Sequence, residues 1–430
     1  MCNNMATSAH KKDGDYSMKL SKNARNAVFI GSLCSISYLA VYIARNILSA
    51  VQTKMLADGF DKPYLGELGS FFFFFYAVGQ LINGAIGDKI KARYMISGGL
   101  LLAGIANILF PLLSATPTVA KFAYAFSGFF LAMIYGPMTK VSAENTEPKH
   151  ATRCSLGYTF AAFFGSPLAG ILAVFLTWQN VFTVSSAVLF VMSLIAFFSF
   201  LILEKTGIVK YGQYTQKKNG STDFKKGLRM LFEQQIVRFA LIAIITGIIR
   251  TSLVQWLTTY FSEFHHYSSE ESSLIYTILT AVMSVTPFIS VFFFERIFKF
   301  NMHRTILAMF SVSAVLFSVL HFVHLPIPNI VVLTLAIMAS NASATMLWSR
   351  YCPSLRDTGM VSGATGFLDF LSYMAAAAAN LIIPQIKYAD GAINWNLLTW
   401  LCAALMVLGV LVMLPYGKIF RKKSDSAQNA

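Results

Sequence analysis

Apolar runs of about twenty residues, parted by short polar turns, recur along the chain, and a run of that length can cross a bilayer as a helix. They predict spans at 27–51, 65–87, 94–114, 118–142, 154–177 and 180–203, then at 236–261, 272–294, 303–323, 327–348, 360–384 and 394–416. The spans 118–142 and 360–384 carry charge and are rich in small residues, which suits closely packed membrane helices. One longer polar stretch, Glu204 to Gln235, contains Lys217-Lys218-Asn219-Gly220-Ser221-Thr222 and divides the chain into nearly equal halves. The pattern predicts an all-α membrane protein of twelve transmembrane helices in two pseudo-symmetric six-helix bundles. Its expected parts are an N-terminal tail (1–26), a first bundle (27–203), a linker (204–235), a second bundle (236–416) and a C-terminal tail (417–430).

Basic residues occupy alternate turns. One set holds Lys11, Lys12, Lys19, Lys22 and Arg25, then Lys89, Lys91 and Arg93, then Lys149 and Arg153. It continues through the loop from Lys205 to Arg229, then Arg296, Lys299 and Arg304, Arg350 and Arg356, and the tail Lys418, Arg421, Lys422 and Lys423. The other turns hold only Lys54, Lys62, Lys121 and Lys387. Positive charge stays on the cytoplasmic side, so both termini are expected in the cytoplasm and the chain in the cell inner membrane. The first 25 residues are polar and basic, which predicts no cleavable signal peptide.

Composition agrees with a lipid-facing surface. Of 430 residues, 12% are charged, against about 25% in soluble domains; the mean hydropathy is +0.60 and there are 38 Phe. A net charge of +15 would point to nucleic acid in a soluble protein. Set in short turns between apolar spans, it points to the membrane surface, with no nucleic-acid partner. Cys2, Cys34, Cys154, Cys352 and Cys402 are scattered, without a CxxC pair or a histidine cluster, so neither a disulfide framework nor a metal site is expected. No cofactor is implied.

The turn after the second span reads Gly84-Ala85-Ile86-Gly87-Asp88-Lys89-Ile90-Lys91-Ala92-Arg93. It resembles the signature loop of the major facilitator superfamily, in whose carriers two six-helix halves enclose a substrate site near the midplane. Gly84 permits close helix approach, and Asp88 can pair with a basic group in the neighbouring helices in one conformation, a latch for alternating access. An ordinary positive-inside turn is the plainer reading.

Charges inside spans are costly and need a partner or ligand. Arg45 lies in the first span and Arg250 in the seventh, so the first helix of each half carries one arginine at comparable depth. Two guanidiniums on one cavity can grip the oxygens of a phosphate or carboxylate bidentately. Alternatively, each pairs with a buried acid. Asp369, inside the eleventh span, can pair with Lys140, Arg45 or Arg250, carry a proton, or meet a cationic group on a zwitterionic substrate. Lys140, near the end of the fourth span, can join an anion path or snorkel to the interface.

The chain resembles the organophosphate:phosphate antiporters, which include the glycerol-3-phosphate and hexose-phosphate carriers. The likeness runs through most of both halves. It is carried by Tyr42 and Arg45; Leu65-Gly66, Tyr76, Gly84 and Asp88; Tyr135-Gly136-Pro137; Arg250, Trp256 and Tyr260; and Gly366-Phe367 with Tyr373. It implies that Arg45 and Arg250 hold a substrate phosphate and that organic phosphate is exchanged for inorganic phosphate, in a monomer. Departures stand beside it. Gln80 replaces a common basic residue, Ala161 replaces the histidine of the glycerol-phosphate carriers, Gln255 replaces an acid, and Asp369 replaces a glycine. The candidate substrate-binding set is Arg45, Arg250, Tyr42, Lys140, Gln255 and Tyr373, with Asp369 as coupling candidate and Gly84, Asp88, Lys89 and Arg93 as gate.

Other features are plainer. The run Phe71 to Phe75 covers every face of a helix turn and is read as lipid contact and packing. Asn83, Asn341, Ser343, Thr345, Ser372 and Asn380 line a cavity or bond neighbouring helices. His265 and His266, near Glu263, Glu270 and Glu271, are read as an outer loop, with a weak metal site as the alternative. No nucleophile–base set, metal motif or nucleotide loop appears, so the chain is not read as an enzyme. The expected function is secondary transport of a small organic anion by alternating access. Proton-coupled symport of another anion, such as a sugar acid, and a transporter-like sensor of organic phosphate are the alternatives.

Overall fold

The computed structural model describes residues 21–87, 90–211, 224–355 and 361–414. Twelve helices among them are long and apolar enough to cross a membrane. In chain order they are α1 (Lys22–Ala57), α2 (Lys62–Gly87), α3 (Ala92–Leu112), α4 (Pro117–Asn145), α5 (Pro148–Phe175) and α6 (Trp178–Lys205). After a short linker helix (Phe224–Glu233) come α7 (Ile236–Leu253, then Leu257–His265), α8 (Ser269–Ile297), α9 (Met302–Leu320), α10 (Pro326–Tyr351), α11 (Val361–Ile382) and α12 (Trp395–Met413). Lys11, Lys12 and Lys19, Lys217–Thr222, Arg356 and the C-terminal basic tail lie outside the described residues.

Local chemistry sets the helix ends. Ser21 accepts from the backbone N–H of Ala24 at 3.2 Å to cap α1, and Asn301 and Asn394 cap α9 and α12 in the same way. Ser268 and Glu271 form a reciprocal capping box at the start of α8. Pro117 and Pro326 stand in the first turns of α4 and α10, where a missing N–H costs nothing.

Three spans read as continuous are broken. Helix α4 is interrupted between Leu131 and Tyr135, and α8 between Met283 and Thr286. Each break precedes a proline, Pro137 or Pro287, whose ring cannot accept the carbonyl four residues back. Helix α7 widens into a π turn over Ile248–Leu253 before its last segment starts at Leu257; such turns displace side chains relative to a regular helix.

The first six helices pack as one bundle and the last six as another, and α2 meets α11, α5 meets α8, and α1 meets α7 and α8 across the interface. Close approach there needs small residues. A Cβ on Gly66 would stand 2.5 Å from the Asn380 carbonyl oxygen, and one on Gly69 would stand 2.6 Å from Oε1 of Gln255. The outer surfaces present large apolar side chains such as Phe175, Leu194 and Phe288, as lipid contact requires. The chain is a multi-pass membrane protein.

Because the helix count is even, α1 starts and α12 ends on one face, here the near face; the opposite one is the far face. At the far face the bundles are tied together. Lys62 on α2 pairs with Glu263 on α7, and its Nζ donates to the Gly391 carbonyl at 2.8 Å. Glu263 also accepts from the backbone N–H of Ile393 at 3.1 Å and from Nε1 of Trp395 at 3.0 Å. Deeper in the interface, Thr258 donates to the Ser49 carbonyl and Ser273 to the Ala50 carbonyl.

Candidate substrate site

Tyr42 and Arg45 lie three residues apart on α1, so their side chains share a face. Arg45 is only 7% exposed. Its Nη1 donates to the Tyr42 hydroxyl at 2.9 Å and, across the bundle interface, to the Tyr373 hydroxyl of α11 at 2.8 Å. The guanidinium carbon lies 4.8 Å from the ring centre of Tyr373, 4.9 Å from Tyr42, 5.2 Å from Tyr76 and 5.5 Å from Phe73. Phe73 stacks on Tyr373, with centroids 6.1 Å apart and planes at 6°, and Tyr76 meets Tyr373 edge-on at 4.8 Å. These rings offer their negative faces to one cation.

Arg250 projects from the π turn of α7 and is half-buried. Its charge acts on Tyr42 and on Asp369. Asp369 stands four residues before Tyr373 on α11, hence on the same face, and the cations acting on it are Arg250 and then Arg45. None of the ion pairs within 4.0 Å among the described residues includes Asp369 or Arg250. Hydrogen bonds of Arg45 and the charge of Arg250 on Tyr42 and Asp369 thus relate Tyr42, Arg45, Arg250, Asp369 and Tyr373 to one another between the bundles.

The other candidates divide. Gln255 is buried one turn beyond Arg250 against Gly69 of α2, and its Nε2 has no partner among the described residues. Lys140 is half-buried on α4 and engaged within the chain; it is not among the cations acting on Asp369. Of the gate, Gly84 falls within α2, while Asp88 and Lys89 lie outside the described residues. Arg93 pairs with Glu204 of α6 at 3.0 Å and donates to the Tyr94 hydroxyl at 2.7 Å, so in this state it binds its own bundle. The Tyr211 hydroxyl donates to the same Glu204 at 2.8 Å; burial and that carboxylate push the phenol above its usual range and keep it a donor.

Two partners of Arg45 were not candidates in the sequence. Tyr76 entered only as part of the family resemblance. Phe73 was hidden in a run of five phenylalanines, of which Phe72 and Phe73 are buried and Phe74 is exposed. Two of the polar set bond neighbouring helices: Asn83 donates to the Phe129 carbonyl at 3.2 Å, and Asn380 accepts from Nε1 of Trp256 at 3.1 Å; Thr345 donates to the Asn341 carbonyl of its own helix. Asn341 and Ser343 keep a buried oxygen without a partner among the described residues. At the far face, Nε2 of His265 lies 3.0 Å from Oδ1 of Asn329, and burial lowers its pKa, so the ring stays neutral at neutral pH.

Comparisons with known proteins agree with this architecture. The family model of the Major Facilitator Superfamily matches residues 34–380. The chain is 24% identical over 403 residues to the glycerol-3-phosphate transporter of Bacillus subtilis (strain 168), spanning 87% of this chain and 88% of that protein. It is 30% identical over 107 residues to a probable hexose phosphate transport protein of Chlamydia trachomatis serovar D, 25% of this chain and 23% of the other. It is 33% identical over 76 residues to the membrane sensor protein UhpC of Escherichia coli (strain K12), 17% of each chain. Among solved structures, a bacterial homologue of the human lysosomal transporter Spinster superposes with a TM-score of 0.70 at 13% identity, covering 90% of this chain and 96% of that one. The xylose transporter XylE from E. coli gives 0.68 at 13% identity, covering 92% and 98%. At that identity the likeness establishes the fold.

Proposed function

The chain belongs to the Major Facilitator Superfamily and is a transporter, and from that premise we propose that it moves a small organic anion, an organophosphate or sugar phosphate, in exchange for inorganic phosphate. The observation that carries this reading is the placement of Arg45 and Arg250. In this reading two guanidiniums, from the first helix of each bundle, face one site between the bundles, and a phosphate between them satisfies charges that a membrane interior otherwise penalises. Tyr42 and Tyr373 orient Arg45, and Gln255 offers an unpaired amide donor beside Arg250. Substrate phosphate draws the two arms together and so couples its own binding to rocking of the bundles.

In this reading the far face is closed by Lys62, Glu263 and the α11–α12 loop, and the loop with Gly84, Asp88, Lys89 and Arg93 latches the near face in the alternate state. The tails (1–26 and 417–430) and the linker (204–235) flank the bundles 27–203 and 236–416 on the cytoplasmic side of a cell inner membrane. The protein acts as a monomer.

The test is uptake of radiolabelled phosphate into phosphate-loaded proteoliposomes, with glycerol phosphate, sugar phosphates and sugar acids as competitors. Exchange that one organic phosphate blocks, and that Arg45→Lys and Arg250→Lys each abolish, supports the reading; exchange indifferent to both substitutions sinks it. A second reading, proton-coupled symport of an organic anion, is favoured by Asp369, which has no ion pair among the described residues. Uptake driven by an imposed pH gradient, without phosphate inside, would select it. Tight ligand binding without flux would select the sensor.

A further inference from the structure

The site holds two positive charges and one negative one, and the negative one is unclaimed. Asp369 is half-buried, and none of the ion pairs among the described residues includes it. Arg45 directs Nη1 at tyrosine hydroxyls, so its flanking charge does not occupy the Asp369 oxygens. Asp369 lies one turn before Tyr373 on α11, the tyrosine whose hydroxyl accepts from Arg45, and its charge also acts on Tyr42, Tyr76 and Tyr135. Three of these already present their faces to Arg45. An unpaired carboxylate beside an aromatic cluster that already holds one cation is the chemistry that receives an ammonium group.

Charge counting points the same way. Arg45, Arg250 and Asp369 sum to one positive charge, while Gln80 beside Tyr76 and Gln255 beside Gly69 add none; Lys140 is left out of the sum because it is engaged within the chain and is not among the cations acting on Asp369. A phosphate monoester brings nearly two negative charges at neutral pH. Bound alone it leaves a net negative charge in a low-dielectric site, where imbalance is costly. A phosphate monoester that also carries an ammonium group brings about one negative charge and leaves the site neutral.

We propose that the substrate carries a cationic amino group beside its anionic one, and that Asp369 receives the amino group while Arg45 and Arg250 hold the anion. This rests on the anion-carrier reading and narrows its substrate class to amino-bearing organophosphates. Asp369 is then the specificity-determining residue of the site.

The test compares matched pairs that differ only in the amino group: ethyl phosphate against phosphoethanolamine, and glucose 6-phosphate against glucosamine 6-phosphate. Each competes with labelled phosphate in the exchange assay, and the readout is the ratio of potencies within a pair, whatever the overall rate. The aminated member is expected to compete about tenfold more strongly in the wild type, the scale of one close charge pair. The ratio falls to one in Asp369→Asn and is partly kept in Asp369→Glu. A ratio of one in the wild type overturns the proposal, as does an unchanged ratio in Asp369→Asn. Proton-driven uptake that Asp369→Asn alone removes also overturns it, because the carboxylate would then carry a proton. If phosphate exchange is absent altogether, the exchange reading fails. The same ratios are then read from thermal stabilisation of the purified protein by the four compounds, with the same deciding outcomes. Where Asp369→Asn does not fold, the wild-type ratio decides.

Discussion

Arg45 and Arg250 stand in the first helix of their respective bundles, yet their settings differ. Arg45 leaves a regular helix, is almost fully buried, and is fixed by two tyrosine hydroxyls and four aromatic rings. Arg250 leaves a π turn, is half-buried, and is related to its neighbours Tyr42 and Asp369 by charge across the site. Pseudo-symmetry has repeated the charge without repeating its surroundings. In the proposed clamp one arm is preorganised, and the other sits where a wide helical turn can adjust its reach.

The largest consequence separates folding from function. Replacing either arginine by alanine should cost exchange about a hundredfold or more, since each removes one partner of a buried charge interaction. Their effects on stability should part. Arg45→Ala should destabilise the detergent-solubilised protein by about 3 kcal/mol, since it leaves Tyr42 and Tyr373 without their donor. Arg250→Ala should change stability by less than about 1 kcal/mol. Equal losses of melting temperature would erase the comparison.

A smaller effect sharpens it within the caged arm. Tyr373→Phe keeps the ring face but loses the hydroxyl that accepts from Arg45, and should weaken half-saturation of exchange by about tenfold. Tyr76→Phe keeps the face and removes no bond to Arg45, so its effect should be smaller. Smaller still is the far-face tie. Glu263→Gln removes the charge opposite Lys62, worth about 1 kcal/mol. It should speed thiol labelling of a cysteine placed at the buried Gln52 position about fivefold. Unchanged labelling would mean that this ion pair does not hold the bundles together.

The spans were legible because a bilayer imposes a length and a polarity that a sequence must display over some twenty residues. Arg45 and Arg250 were legible because a charge in such a run stands out. The breaks were not, since Leu131 and Met283 look as helical as their neighbours, and the prolines that end their segments lie several residues downstream. The π turn that aims Arg250 is a backbone choice settled by packing, where Ser252 of α7 donates to the Ala376 carbonyl of α11 at 2.8 Å. Phe73 could not be singled out among five identical neighbours. The partners of Arg93 and Lys62 lie more than a hundred residues away in sequence, at Glu204 and Glu263. Glu263, grouped at first with the histidines of an outer turn, is instead the centre of the far-face tie.

The claim that both arginines hold one anion is tested most directly without transport, by titrating purified protein in detergent with inorganic phosphate and following its thermal stabilisation. Wild type should be stabilised in a saturable way, and Arg45→Lys and Arg250→Lys should each abolish the effect, because an ammonium cannot reproduce the bidentate fork. Stabilisation that survives in either lysine variant would contradict the clamp and return that arginine to a structural role.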